Sequence, residues 1–541
     1  MAPSLVATVA TALAVVVSIV LFRYASAIAA SPKQDRKVEA PPVPTSFPEP
    51  APYIKDLSAE IPGTVILPKD VAAFSSALRV WFSSQNREVI PAAIVKPRDV
   101  NELSTAIKHI SREHAVRASQ PATGNGLFAV RAGAANPATG ISGVKDGIVI
   151  DLALLNAIEP SEDGSSVKIG AGAYWRDVYK TLQKRGLGVV GGRSSPVGVG
   201  GSTLQGGMSF FSSKYGFICS NVISYQVVLA DGSIVTASAD ENPDLWRALK
   251  GGGNNFGVVA QFELRSFPLS EKVWSGSFVS PGFLAARAVK AFYEHARHAS
   301  SDGFDDKASM PILSNSYLPN HGITASFCHM VYADPTPGGD WPEYWRKSPF
   351  RSLWRFQNKS KNLPLHDVVV DLGVLSRTDE RNVYGTTTVK NDLETLMTVR
   401  QIWKDAHPSV KHVKDCMFVY IMQPISPKWA SKGDPNVLGL EGLDETLVVV
   451  SFAVNWVNPE HDAAVTGTVR RCLERMEEYA VANNTAHPYR FSNYSSEWQT
   501  PLRGYGADNM KLMQQVSQRY DPEGLFQTGC LGGFKLDRWD K

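Results

Sequence analysis

Three stretches decide how this chain reads: RAGAAN from Arg131 to Asn136, GGRSSPVGVGGSTLQGG from Gly191 to Gly207, and GGGNNFGVV from Gly251 to Val259. Glycine carries no Cβ, so runs this dense let the backbone reach positive φ and bring its N–H groups against an anion. A pyrophosphate is held that way with few charged side chains. Any single run would serve as a tight turn, but three in one block point to a phosphate-bearing cofactor. A dinucleotide-binding βαβ unit is the first competitor, because Gly170 and Gly172 follow a strand and precede a helix. The last glycine of that motif is replaced by Trp175, which removes the close helix packing it depends on. No phosphate loop of the Gly-Lys-Ser/Thr kind occurs.

Outward from these runs the texture is strand-rich. SVKIGAG from Ser166 predicts a strand leading into a helix that carries Trp175, Val178, Tyr179 and Leu182 on one face and closes at Gly186. ISYQVVLA and SIVTAS flank Asp231-Gly232, a hairpin signal. Upstream, Asp99 with Glu102 opens a helix whose stripe is Leu103, Ile107 and Ile110, and the body is expected to begin near Arg87. From about residue 270 longer amphipathic helices alternate with strands; Val465, Val469, Leu473, Met476 and Ala480 mark one such helix. The strand Thr446 to Trp456 has a bulky face (Val448, Val450, Phe452, Val454, Trp456) and a small one (Ser451, Ala453, Asn455). The bulky face belongs against helices; the small one looks toward a ligand or toward solvent.

The order VRAGAAN, GIVIDLALLN, GVGGSTLQGG, KYGF with Asn221-Val222, and GGGNNFGVV resembles the FAD-binding domain shared by vanillyl-alcohol-oxidase and berberine-bridge-enzyme-like flavoproteins. FSNYSS at Phe491, YGADNMKLMQQVSQRYDPEGLF from Tyr505 and GGFKL at Gly532 resemble that family's final segment, with the fungal secondary-metabolism members most similar. The resemblance spans roughly residues 87 to 541. It implies an α+β fold: a bipartite PCMH-type FAD-binding domain (61–268, with 485–541 returning to it) and an inserted substrate domain (269–484) built on an antiparallel sheet covered by helices. It also implies FAD contacts from Arg131, Ala132, Gly133, Ala134, Ala135 and Asn136; from Ser194, Val197, Gly198, Gly200, Gly201, Ser202, Gly206 and Gly207; and from Gly257, Val258, Val259 and Asn493.

The chain departs from that family at the attachment positions. Where most members read RxGGH and bond the histidine to the flavin, this sequence has Ala134 and Ala135; where a cysteine makes the second bond, it has Ser194. Non-covalent FAD is the expectation. The resemblance further implies that Val197 occupies the position that admits dioxygen, that Tyr494 lies beside the flavin as an orienting or proton-accepting phenol, and that Gln423 lies on the facing wall. No Asp or Glu declares itself as general base. The leading expectation is an oxidase passing a hydride from a small organic or secondary-metabolite substrate to flavin N5, with dioxygen as acceptor. A flavoprotein cyclase and a degenerate flavin-binding protein are the alternatives.

Composition is consistent with this. A chain of 541 residues exceeds one ordinary core, so two domains or more are expected. A net charge of +3 with no long basic stripe argues against nucleic acid as a partner. The five cysteines are scattered singly, and His321, Cys328 and His329 lack a fourth ligand at zinc spacing, so no metal is expected. At the N-terminus, residues 1–30 include the uncharged run LVATVATALAVVVSIVLF from Leu5 to Phe22, long enough to span a bilayer. Arg23, Lys33, Arg36 and Lys37 follow it, which predicts a single-pass anchor with a cytosolic body. A cleaved signal peptide and a secreted protein are the alternative, through the small-residue patterns Ala25-Ser26-Ala27 and Ala27-Ile28-Ala29. Residues 31–60 read as a linker, stiffened by the prolines of PPVPTSFPEPAP between Pro41 and Pro52. Sequons at Asn358, Asn483 and Asn493 matter only if the body is lumenal.

Overall fold

The computed structural model describes residues 49–118, 126–374 and 376–538. The apolar run Leu5–Phe22 lies outside the described residues. Among the described residues no helix is long and apolar enough to cross a membrane, and the expectation of an anchored protein at a membrane is corrected on that finding. The folded body also reaches further back than expected. Pro52–Glu60, placed in the linker by its prolines, is a helix that buries Ile54 and Leu57 against the helix Val100–Ala118. Pro52 stands at the first helical position, where its missing N–H would have had no partner in any case.

Two sheets carry the glycine runs. In the first, Val65–Ile66, Ala93–Val95, Ile148–Asp151 and Phe128–Arg131 lie in that order, the last three parallel. The helix Val100–Ala118 covers it; Asp99 Oδ1 accepts from the N–H groups of Asn101 and Glu102 at 2.8 and 3.0 Å, and Leu103, Ile107 and Ile110 are fully buried. The second sheet is antiparallel and centres on the long strand Val258–Pro268, paired with Val222–Val228 on one side and Ser166–Gly170 on the other. The Asp231-Gly232 hairpin forms as read, with Gly232 at φ +80°. The helix Trp175–Gln183 buries all four expected residues of its apolar face.

The other half is one eight-stranded antiparallel sheet in the order Gln357–Leu363, Val273–Pro281, Ile323–Tyr332, Ile312–Leu318, Met417–Ile425, Leu447–Trp456, Arg381–Lys390, Ala486–His487. Val448, Val450, Phe452, Val454 and Trp456 pack into a core with Val289 and Phe292, Leu396 and Val399, and Val465 and Leu473 from three covering helices, Ala285–His298, Leu393–Asp405 and Asp462–Ala482. Ser451, Ala453 and Asn455 look the other way, into a large cavity. The chain then returns to its first half. The helix Ala507–Tyr520 lies against Pro243–Leu249, with Tyr520 Oη donating to Asp244 Oδ1 at 2.9 Å. Leu127 N–H donates to Gly529 O at 2.7 Å, and Cys530 bridges in parallel to Phe128.

Candidate active site

All three glycine runs, the returning segment and the small face of the large sheet border one cavity of about 1640 Å³. Ordinary small-molecule sites occupy roughly 300–1,000 Å³, so this one has room for a dinucleotide and a second molecule beside it. The glycines are there because backbones meet. A Cβ on Gly133 would stand 2.5 Å from Gly198 Cα, and one on Gly198 would stand 2.6 Å from Gly133 Cα, so the first two runs touch without side chains between them. Under the second run lies Trp175: a Cβ at Gly191 or Gly192 would meet its ring at 2.4 or 2.3 Å. Its indole Nε1 donates to Ser202 Oγ at 2.8 Å, which in turn donates to Gly198 O at 2.6 Å. Asn493 clamps the same loop from the returning segment, accepting from Gly207 N at 3.2 Å and donating to Ser202 O at 3.1 Å. In the third run Asn254 and Asn255 donate to Gly532 O and Phe534 O at 3.1 and 2.8 Å.

Of the residues singled out from sequence, Ala132 to Asn136, Ser194, Val197, Gly198, Gly200, Gly201, Ser202, Gly207, Gly257, Val258, Val259, Gln423, Asn493 and Tyr494 line this cavity. Arg131 and Gly206 do not line it. Arg131 is fully buried away from the cavity: its guanidinium donates to Asp151 Oδ2 at 2.6 Å and Ala77 O at 2.9 Å and lies 4.0 Å over the Trp81 ring. It braces the strand end that presents the first run. Gly206 faces Leu438, 3.1 Å from its missing Cβ.

The residues present suit FAD. Gly201 has open space where a side chain would begin, and bare backbone of the three runs faces the cavity, as a pyrophosphate requires. Gln423 Oε1 and Asn136 Nδ2 are buried without a hydrogen-bond partner. Leaving such a group unmade costs about 1–3 kcal/mol, so both atoms point to a ligand. Ala135 offers only a methyl group to the cavity. Ser194 Oγ has Ser376 Oγ 3.5 Å away and no base beside it.

Toward the large sheet, Arg193 Nη2 donates to Tyr494 Oη at 3.2 Å. Tyr384 meets the Tyr494 ring edge-on at 6.0 Å; burial, with Tyr494 adding to it, pushes the Tyr384 phenol above its usual value. The sheet contributes Val419, Ile421 and Gln423 from one strand and Ser451, Ala453 and Asn455 from the next. The cavity carboxylates are each matched: Glu88 by Arg381, Asp379 by Arg87, and Glu380 by Arg377 at 3.5 Å, with Asn455 also donating to Glu380. That pairing is why no acidic residue stood out as a base. Sequence reading passed over Arg193 and Tyr384. For Arg193 a signal existed, since it is the only charged residue between Gly191 and Gly207; Tyr384 had none.

Comparison with known proteins agrees with this geometry. Residues 91–238 match the family described as the FAD binding domain. The chain is 30% identical over 475 residues to the FAD-dependent monooxygenase sdcF of Emericella nidulans, covering 86% of this chain and 94% of the relative. It is 31% identical over 478 residues to the FAD-dependent monooxygenase tpcD of Cochliobolus heterostrophus, covering 86% and 89%. Bifunctional solanapyrone synthase of Alternaria solani is 30% identical over 455 residues, covering 82% of each. Among solved structures, 6-hydroxy-D-nicotine oxidase from Arthrobacter nicotinovorans superposes with a TM-score of 0.69 at 20% identity, over 86% of this chain and 97% of the other. A variant of berberine bridge enzyme superposes with a TM-score of 0.67 at 15% identity, over 89% and 99%.

Proposed function

Because this chain belongs to the berberine-bridge-enzyme-like family of FAD-dependent oxidoreductases, we propose that it is an oxidase that holds FAD without a covalent bond and removes a hydride from a small organic substrate, with dioxygen as acceptor. The observation that carries the reading is that one cavity is bordered by cofactor-type glycine runs on one wall and by a sheet face that includes Gln423 on the other, with Tyr494 of the returning segment also lining it. When bound, the flavin supplies the electron sink that the chain's own side chains lack.

The chain supplies position and proton handling. The backbone of the three runs and the Asn493 clamp hold the cofactor. Gln423 Oε1 accepts from a donor on whatever fills the centre of the cavity. Tyr494 Oη, which accepts from Arg193, would take or give a proton at a substrate heteroatom. Ala135 has no lone pair, and an unassisted serine hydroxyl at Ser194 is a weak nucleophile, which supports release of intact FAD on acid denaturation. Val197 lines the cavity, where a small apolar side chain would leave room for dioxygen beside the ring.

Anaerobic mixing with candidate substrates tests the proposal. Bleaching of the flavin, restored by air, with product free of heavy-oxygen label from dioxygen, is the expected result. Label in the product would make the protein a monooxygenase like its named relatives. Yellow colour retained in acid-precipitated protein would sink the non-covalent assignment.

A further inference from the structure

Arg193 differs from the other arginines bordering the cavity. Arg381 and Arg377 have carboxylate partners there, and Arg176 lies 3.6 Å from Asp177 and donates to Ser195 O at 3.1 Å. Among the described residues Arg193 has no carboxylate within 4.0 Å, and its hydrogen bond goes to the neutral Tyr494 Oη at 3.2 Å. The side chain is half-buried, at the junction of the glycine loop with the returning segment. A guanidinium keeps its proton at any working pH and carries five N–H donors, so most of that fork remains available to an acceptor.

Two anions are candidates, the cofactor's phosphates and an acidic group on the substrate. The surroundings favour the second. Arg193 lies close enough to His329 to help burial hold that imidazole down to about 4, and His329 belongs to the large sheet, paired across from Ser277 and Ile312. Both of those neighbours line the cavity. The rest of that wall is mixed, with Ile312, Leu318, Phe327, Val419 and Ile421 facing in beside Ser314, Ser316 and, at the sheet edge, Lys359.

We propose that Arg193 anchors an acidic oxygen of the substrate, which therefore bears a group ionised at neutral pH, a carboxylate or an enolate. The proposal rests on the oxidoreductase reading above and adds a substrate class to it. Tyr494 holds the guanidinium in place before substrate arrives, so the anion meets a fork already oriented.

The test uses FAD-loaded wild type, Arg193→Gln and Arg193→Lys, titrated with decanoate against decanamide and with tetronic acid, an ionised enol, against its O-methyl ether. Binding is followed by perturbation of the flavin's visible absorbance. In wild type the ionised member of at least one pair is expected to bind about tenfold tighter or more than its neutral partner, the size of one charge-assisted hydrogen bond. Arg193→Gln removes that preference, Arg193→Lys keeps part of it, and both retain FAD as wild type does. The decanoate and tetronic acid arms separate carboxylate from enolate. Equal binding of charged and neutral partners, a preference that survives Arg193→Gln, or no response of yellow protein to any probe overturns the proposal. So does loss of FAD affinity on Arg193→Gln, which would assign the guanidinium to the phosphates. Wild-type protein that takes up no FAD would sink the oxidoreductase reading itself, a result visible before any probe is added.

Discussion

On the side of the glycine runs the cavity wall is backbone, whereas on the side of the eight-stranded sheet it is side chains. The first wall is made where Gly133 and Gly198 touch and where Trp175 fills the space under Gly191 and Gly192. At those four glycines it admits no added carbon. The second wall is a pleated surface whose covering helices hold the alternate residues, so its inward side chains are free of the packing that fixes the sheet. One wall is suited to a constant cofactor and the other to a substrate that differs between relatives.

The sharpest way to break this contrast is Gly198→Ala. Its methyl group would meet Gly133 Cα at 2.6 Å, backbone against backbone, and neither side can yield cheaply. We expect a loss of about 3 kcal/mol, the upper range for overpacking, seen as a lower denaturation midpoint together with loss of bound flavin. Ala453→Val on the sheet is the paired control. It should keep the flavin and shift only substrate KM, and equal damage from the two changes would erase the distinction between the walls.

Asn493→Ala comes next. It removes both hydrogen bonds that tie the returning segment to the second run and should cost about 2 kcal/mol at net hydrogen-bond values, with faster loss of FAD on dilution. Unchanged FAD retention would reduce Asn493 to a bystander. Tyr494→Phe sharpens the comparison from the other direction: flavin content should stay whole while reduction by substrate slows about tenfold, the low end for acid–base assistance. Full-speed reduction would leave Tyr494 as packing. The smallest expected effect is a gain. Ala134 is held at φ +50°, a left-handed conformation that costs a non-glycine residue about 1–2 kcal/mol, so Ala134→Gly should raise stability by roughly 0.5–1 kcal/mol after the entropy of the unfolded chain is counted. A lower melting temperature would show that the alanine methyl group has packing value that outweighs the strain.

Legibility in the sequence follows the same division. The glycine runs announced their wall because close backbone approach excludes other residue types, and the resemblance carried by their order implied a cofactor domain. The period of two put the bulky residues of the strand Leu447–Trp456 against the helices, but left Ser451, Ala453 and Asn455 open between ligand and solvent until the fold turned them to the cavity. The resemblance put Arg131 among the cofactor contacts, and only the fold reveals Asp151 meeting its guanidinium across the parallel strand pair. Tyr384 and the carboxylate–arginine pairs were out of reach, since Glu88 and Arg381, or Arg87 and Asp379, meet over nearly three hundred intervening residues. The helix at Pro52–Glu60 was hidden by its own proline, which opens a helix as readily as it stiffens a linker.

The pocket for the cofactor is finished by the part of the chain that is made last. Asn493, the bridge from Cys530 to Phe128 and the bond from Leu127 to Gly529 all join early sequence to residues that leave the ribosome after the whole substrate half has emerged. Closing so long a loop adds little to the equilibrium cost, because that cost grows only with the logarithm of length, but it delays the search for the final contacts. Most strands of the large sheet are therefore available to pair while the glycine runs still lack their last supports. A nascent chain stopped before Asn493 would carry every strand of the large sheet and all three glycine runs but not the clamp, so firm retention of flavin is expected only once translation has run past it.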